Sequence, residues 1–370
     1  MSGPIEECLD GLSSTIQMNF APPDSFPKSS SDISNDNLRQ LADLIAIPTD
    51  RLDNEYKPII REILKAIHDK SSCAIDRYCV SGTLGTQPDN TADEFGFDIT
   101  VFLDCSVSHQ SVEISETDTT KKQLHMKCAI QSFEKIYTSV RSFASVHHPV
   151  ECDHRGIHFI HESGLQFHLA VFPSLGHRMH LQRKSVWDLI EQLDRSSGGL
   201  NQNDLDKFSI GLHESTTSFM HMGDPVCHGL VRLARFWRSQ VLSPTCAAEL
   251  SPFAIVLIMM RCIEDEKARR MSISSPKLSE AKIFTDFLTS LTHFDTLSLT
   301  WQRFYEPDLV PERHLATLPC IVDPVNPWRN LVRHITIEQM ETIKMKAKES
   351  LKKVTIGDMF GTLATATRGA

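Results

Sequence analysis

The segment CVSGTLGTQPDNTADEFGFDITVFLD, residues 79–104, constrains the fold more than any other part of the chain. From Phe95 the apolar residues alternate. Phe95, Phe97, Ile99, Val101 and Leu103 point one way; Glu94, Gly96, Asp98, Thr100 and Phe102 point the other. A period of two is that of a half-buried strand. Ahead of it runs a turn of small residues, Ser81-Gly82-Thr83-Leu84-Gly85-Thr86, whose amides and hydroxyls can surround a phosphate. A phosphate turn feeding a strand with carboxylates on one face suits chemistry in which two metal ions are clamped between a triphosphate and an attacking hydroxyl.

This stretch resembles the nucleotidyltransferases that include the 2'-5'-oligoadenylate synthases and the cyclic GMP-AMP synthase-like receptors. The group's signature is a Gly-Ser turn, two carboxylates two residues apart on a strand, and a third on a later strand. Aligned with the oligoadenylate synthases, FDITVFL puts Asp98 at the second carboxylate and Gly96 at the first. Aligned with the cyclic dinucleotide synthases, DEFGF makes Glu94 the first and leaves Gly96 at the second. Either register pairs one carboxylate with one glycine. The third carboxylate falls within Phe167-His168-Leu169, so His168 replaces it.

The remaining segments follow the order of that family. Residues 1–35 are rich in Ser, Pro and Asp and read as a disordered tail. Helical spacing starts at Leu38, breaks at Pro48 and resumes after Asp50; the resemblance makes 37–69 a spine helix. A helix over 120–142 carries Met126, Ile130, Phe133 and Tyr137 as its inward face. Residues 156–172 read as two strands turning near Glu162-Ser163-Gly164. His147, His148, Cys152, His154, His158 and His161 are metal-capable, but their spacing does not match the family's zinc module and they read as polar loop and strand-edge residues.

From about 181 the pattern is helical. Asp224-Pro225 reads as a cap followed by proline at the first helical position. In the helix that follows, Arg232, Arg235 and Arg238 lie opposite the apolar stripe Leu230, Leu233 and Trp237. The resemblance assigns Arg232 and Arg235 to the donor triphosphate; an amphipathic helix with a solvated basic face is the plainer reading. Asp323-Pro324-Val325-Asn326-Pro327 reads as a rigid structural turn, and 337–353 as a final basic helix.

Together these imply an α+β chain with the bilobal nucleotidyltransferase fold. A polymerase-beta-like mixed-sheet lobe spans 36–180, a helical lobe 181–355 and a tail 356–370. The candidate catalytic remnants are Asp98 and Glu94, with Gly96 and His168 at the degenerate positions. Ser81, Gly82, Thr83, Arg232 and Arg235 are the nucleotide-binding candidates.

Magnesium takes hard oxygen ligands, so loss of two of three carboxylates implies an inactive homologue with no cofactor; Asp98 is the one candidate metal ligand. The alternative is an active Mg²⁺-dependent enzyme making 2'-5' oligoadenylate or a cyclic dinucleotide in response to double-stranded RNA. It needs a bulge at Gly96, because Glu94 and Asp98 α-carbons otherwise stand roughly 13 Å apart. A nucleic-acid-binding module, using Arg232, Arg235, Arg238 and the run Lys344–Lys353, is a third class.

Composition narrows the partners. A formal charge of -9 argues against tight nonspecific nucleic-acid binding. The partners that the resemblance implies, ATP or GTP and double-stranded RNA, are therefore expected to be weakly held; a protein partner is the other expectation. Ten cysteines without a CxxC pair fit a reducing compartment. The longest apolar run, Phe253–Met260, is far short of a membrane span, and the first arginine is Arg39. The expectation is a cytoplasmic or nuclear protein with no membrane partner; innate immune sensing is implied by the resemblance alone.

Overall fold

The structure is a computed structural model that describes residues 4–10, 12, 16, 33–71, 73–82, 96–105, 118–143, 150–153, 156–197, 200–221, 225–242, 246, 250–272, 278–353 and 359. Its elements are α+β. Two compact units emerge: a sheet unit from the described residues of Met1–Ile16, Pro48–Thr83 and Glu94–Met222, and a helical unit from those of Gln17–Ile47 and Gly223–Ala370. The boundary between the two units therefore falls at 222/223, and the described residues of Gln17–Ile47 group with the C-terminal residues.

The sheet unit is built on five strands: β1 (Ile75–Gly82), β2 (Gly96–Leu103), β3 (Glu151–Cys152), β4 (Ile157–Ile160) and β5 (Gln166–Pro173), in the order β1-β2-β5-β4-β3. Only the β2–β5 pair is parallel. The aromatic and β-branched run of β2 suits the centre of a sheet. All eight of its residues are buried, so it is covered on both faces and not half-exposed as its alternation suggested. On one face Phe97, Phe167 and Phe159 stack across three strands, with centroids 5.5 and 5.2 Å apart. Gly164, at φ +82°, makes the tight turn between β4 and β5.

Three sequence expectations change here. The leading residues are not all tail: α1 (Pro4–Asp10) is a helix, and Leu9, Leu12 and Ile16 are buried. Glu6 also takes both Nε and Nη2 of Arg61. The spine is not one helix. α2 (Asn35–Leu44) ends before Pro48, and a separate run passes from Thr49 through a π-helical turn at Leu52–Tyr56 into α3 (Lys57–Lys70). Pro48 lacks the N–H that continuity would require. In α4 (Asp118–Arg141) the buried side is Ala129, Ile136, Ser139 and Val140, while Ile130 is 70% exposed. The stripe is rotated from the expected one because Ala and Ser carry it.

Helices α5 (Met179–Ser197), α6 (Gln202–Ile210) and α7 (His213–His221) complete the sheet unit. In the helical unit, α2 packs with α8 (Pro225–Val241) and α10 (Glu280–Thr292), and α9 (Pro252–Ser272) packs against the same two helices. Residues Phe253–Met259 are buried on every side of α9, and Trp237 meets Phe287 edge-on at 5.8 Å. A short parallel pair, β6 (Ser298–Leu299) and β7 (Cys320–Ile321), precedes α11 (Ile337–Leu351), which a Thr336–Gln339 capping box starts. The Asp323 turn is structural as expected: its Oδ1 accepts from the Val325 and Asn326 amides. Among the described residues no helix is long and apolar enough to cross a membrane.

Candidate functional site

Strand register assembles the site. Cross-strand partners point to the same face of a sheet. Ser81 pairs with Asp98, Asp98 with His168, His168 with His158, and His158 with Glu151. One row of polar side chains therefore crosses all five strands, on the face opposite the phenylalanine stack.

At its centre Asp98 Oδ1 lies 3.7 Å from His168 Nδ1, with both side chains 4% exposed. The His158 ring sits 4.5 Å from that of His168, and its Nε2 lies 3.6 Å from Asp153 Oδ1 nearer the surface. The far side of His168 is closed by backbone. A Cβ on Gly156 would meet His168 Nε2 and the Leu169 carbonyl oxygen, each at 2.5 Å, so only glycine lets β4 approach this ring.

Ser81 ends the row on β1 and is fully buried. Its Oγ lies 2.8 Å from Nε2 of His213, whose Nδ1 lies 2.7 Å from Thr100 Oγ1. Burial pushes His213 down to about 4, so near neutrality it is an uncharged imidazole joining α7 to β1 and β2. The hydroxyl expected to hold phosphate is thus engaged inside the fold. Gly82 is the last residue of β1. Thr83 and Glu94 lie outside the described residues, as do His147, His148 and His154.

Arg232 and Arg235 are in the helical unit, and neither presents a solvated face; Arg238 is buried as well. Arg232 Nε donates to the Ala42 carbonyl at 2.9 Å, and desolvation lowers its pKa. Arg238 Nε donates to the Leu250 carbonyl at 2.6 Å. Their stems are apolar enough to pack, and in both the Nε meets a main-chain oxygen.

Magnesium, which the resemblance implies, does not fit the described residues. It needs several hard oxygens. Asp98 offers one carboxylate against an imidazole, Gly96 offers no ligand, and no three His, Cys, Asp or Glu converge among the described residues.

Both the C-terminal sequence and the fold have known counterparts. Residues 187–366 match the family model described as 2'-5'-oligoadenylate synthetase 1, domain 2, C-terminus. The structure is similar to CdnC of E. coli MS115-1 with ATP, at TM-score 0.54 and 15% identity over 91% of this chain and 98% of that one. It is also similar to a cytoplasmic RNA terminal U-transferase, at TM-score 0.50 and 14% identity over 89% and 97%. The chain has the nucleotidyltransferase fold, and its C-terminal half resembles that of oligoadenylate synthetase. No curated protein is similar enough to be matched.

Within this nucleotidyltransferase fold, His213 and Gly156 are the site residues that sequence reasoning missed, and His158 was read only as a polar loop or strand-edge residue. His213 lies 132 residues from Ser81, and nothing in its own segment marks it. His158 was within reach: it shares the period-two pattern of a hairpin whose other strand carries His168.

Proposed function

We propose that this nucleotidyltransferase-fold protein does not carry out two-metal nucleotidyl transfer and acts by binding. The observation that carries the reading is the Asp98–His168 pair. At the two positions where the described strands should supply further carboxylates there are a glycine and a buried imidazole 3.7 Å from Asp98. A second metal has no ligand there, and the first has one.

Nucleotide is the natural candidate ligand, because the similar CdnC structure contains ATP. Its triphosphate would bind weakly. Ser81 Oγ is engaged with His213, Arg232 donates to Ala42, and no metal screens the phosphate charge. ATP affinity is expected near millimolar, about 4 kcal/mol, and independent of Mg²⁺. Double-stranded RNA would be held weakly and be released by salt, since the arginines of α8 are buried. Titration calorimetry with ATP, with and without Mg²⁺, tests the reading. Tight binding that requires Mg²⁺ would reject it.

A further inference from the structure

In the sheet unit, residues 177–184 gather three cations, Arg178, Arg183 and Lys184, together with His177 and His180 and no acid. They surround the start of α5, whose first turn holds no carboxylate. Cations at that end face the positive pole of the helix dipole, so they weaken the helix and are not explained by it. In a chain of formal charge -9 such a cluster needs another reason.

The local structure turns this cluster outward. Gln182 is buried beneath it: its side-chain oxygen accepts from the Leu175 amide at 2.7 Å, and its Nε2 donates to the Pro173 carbonyl at 3.2 Å. A Cβ on Gly176 would lie 2.8 Å from that of Leu181, so glycine lets the entering chain press on the first turn. Residues 177–181 are all exposed in consequence, Met179 at 37% and Leu181 at 45%. One acid reaches the cluster from another element. Asp76 Oδ1 lies 3.4 Å from His177 Nδ1, while its Oδ2 is taken by Ser174 and Arg77. Along α5 acids return only at Asp188 and at Glu191, which holds Arg195.

The charge calls for an anionic surface, and the rest of the patch says which kind. A nucleic-acid backbone gains nothing from an exposed thioether and isobutyl group set between the cations. The Arg183 guanidinium also lies over the Trp187 ring, 5.2 Å from its centroid, where a base would stack. A peptide is held by a groove or a sheet edge, whereas five consecutive exposed residues make a ridge. A lipid surface rewards both parts: phosphates meet the cations while apolar side chains enter the headgroup layer.

We propose that the 177–184 ridge is a peripheral contact for anionic phospholipid membranes. Arg178, Arg183 and Lys184 meet the headgroups, and Met179 and Leu181 reach the acyl boundary. This departs from the expectation of no membrane partner, which rested on the lack of a spanning run; a peripheral contact needs none. Because the chain as a whole is acidic, attachment is weak and reversible. It stands independently of whether the Asp98 face catalyses.

The test is flotation of the full chain with vesicles of phosphatidylserine and phosphatidylcholine, or of phosphatidylcholine alone. Only the anionic vesicles should carry the protein, and added salt should release it. Each Lys or Arg near such a surface contributes about fivefold, so Arg178→Ala/Lys184→Ala should reduce partitioning by about tenfold or more. Met179→Ser/Leu181→Ser, which keeps every charge, should reduce it several-fold at unchanged thermal stability. Lys348→Ala/Lys352→Ala removes the same charge from exposed positions on α11 and its end, and should leave partitioning unchanged. The proposal is rejected if anionic vesicles do not carry wild type, if either variant in 178–184 floats as wild type does, or if the α11 variant loses as much. Binding of polyglutamate or single-stranded RNA that requires Arg178 and Lys184, without flotation, would give the ridge to that partner and reject a lipid.

Discussion

Asp98 and His168 face each other across the parallel pair β2–β5, 3.7 Å apart and both buried. The position that the resemblance gives to a carboxylate thus holds a group of opposite charge tendency. His168→Asp would set two carboxylates side by side, away from water. A second buried carboxylate left without a cation costs roughly 3–5 kcal/mol. Urea unfolding at pH 8 should show that loss, and it should shrink at low pH, where one carboxyl is protonated. Wild-type stability at pH 8 would mean that Asp98 and His168 are not coupled.

His213 gives the sheet unit a pH dependence. Its pKa is pushed down by burial to about 4 from 6.5. As pH falls, the unfolded chain takes up the proton first, so stability held above pH 6.5 is lost between about 6.5 and 4. The total is on the order of 3 kcal/mol. His213→Gln should be less stable at pH 7.5 by roughly 1–3 kcal/mol, because Ser81 and Thr100 lose a shared partner. Its stability-against-pH curve should be flatter by about one proton across that window. Parallel curves would exclude a neutral buried His213.

Gly156→Ala tests the packing behind His168. The new Cβ meets an imidazole nitrogen and a main-chain oxygen at 2.5 Å, and the carbonyl cannot rotate away. A loss of roughly 1–3 kcal/mol is expected, the usual cost of forced overpacking. Chemical denaturation measures it, and a neutral result would place β4 further from β5.

Arg232→Gln separates structure from ligand binding. It removes the donor to the buried Ala42 carbonyl, a loss of roughly 1–3 kcal/mol. Thermal unfolding should shift down while ATP affinity, measured by calorimetry, stays as weak as in wild type. Unchanged stability with lost ATP binding would return Arg232 to the phosphate role.

How much of this was legible follows from what each pattern encodes. The Asp98–His168 adjacency was implied by the resemblance; alternation put each residue on the polar face of its strand, but a slip by two residues keeps that face and changes the partner. The same alternation hid the burial of the other face of β2, which depends on α7 and its His213. In α4 the expected stripe included Ile130, which is exposed, because hydrophobicity underweights the Ala129 and Ser139 that pack inward. The α8 arginines read as a solvated face, since a helical projection shows direction and not the Ala42 and Leu250 carbonyls that receive them. Leu9, Leu12 and Ile16 were lost among Ser, Pro and Asp, although their helical spacing is in the sequence.

The central claim is tested most directly by incubating the protein with labelled ATP and GTP, Mg²⁺ or Mn²⁺, with and without double-stranded RNA, and resolving the products. With an imidazole beside Asp98, a glycine at position 96 and no three metal-capable groups converging among the described residues, no oligonucleotide should form under any combination. A linear 2'-5' oligomer or a cyclic dinucleotide that disappears in Asp98→Ala would contradict the account.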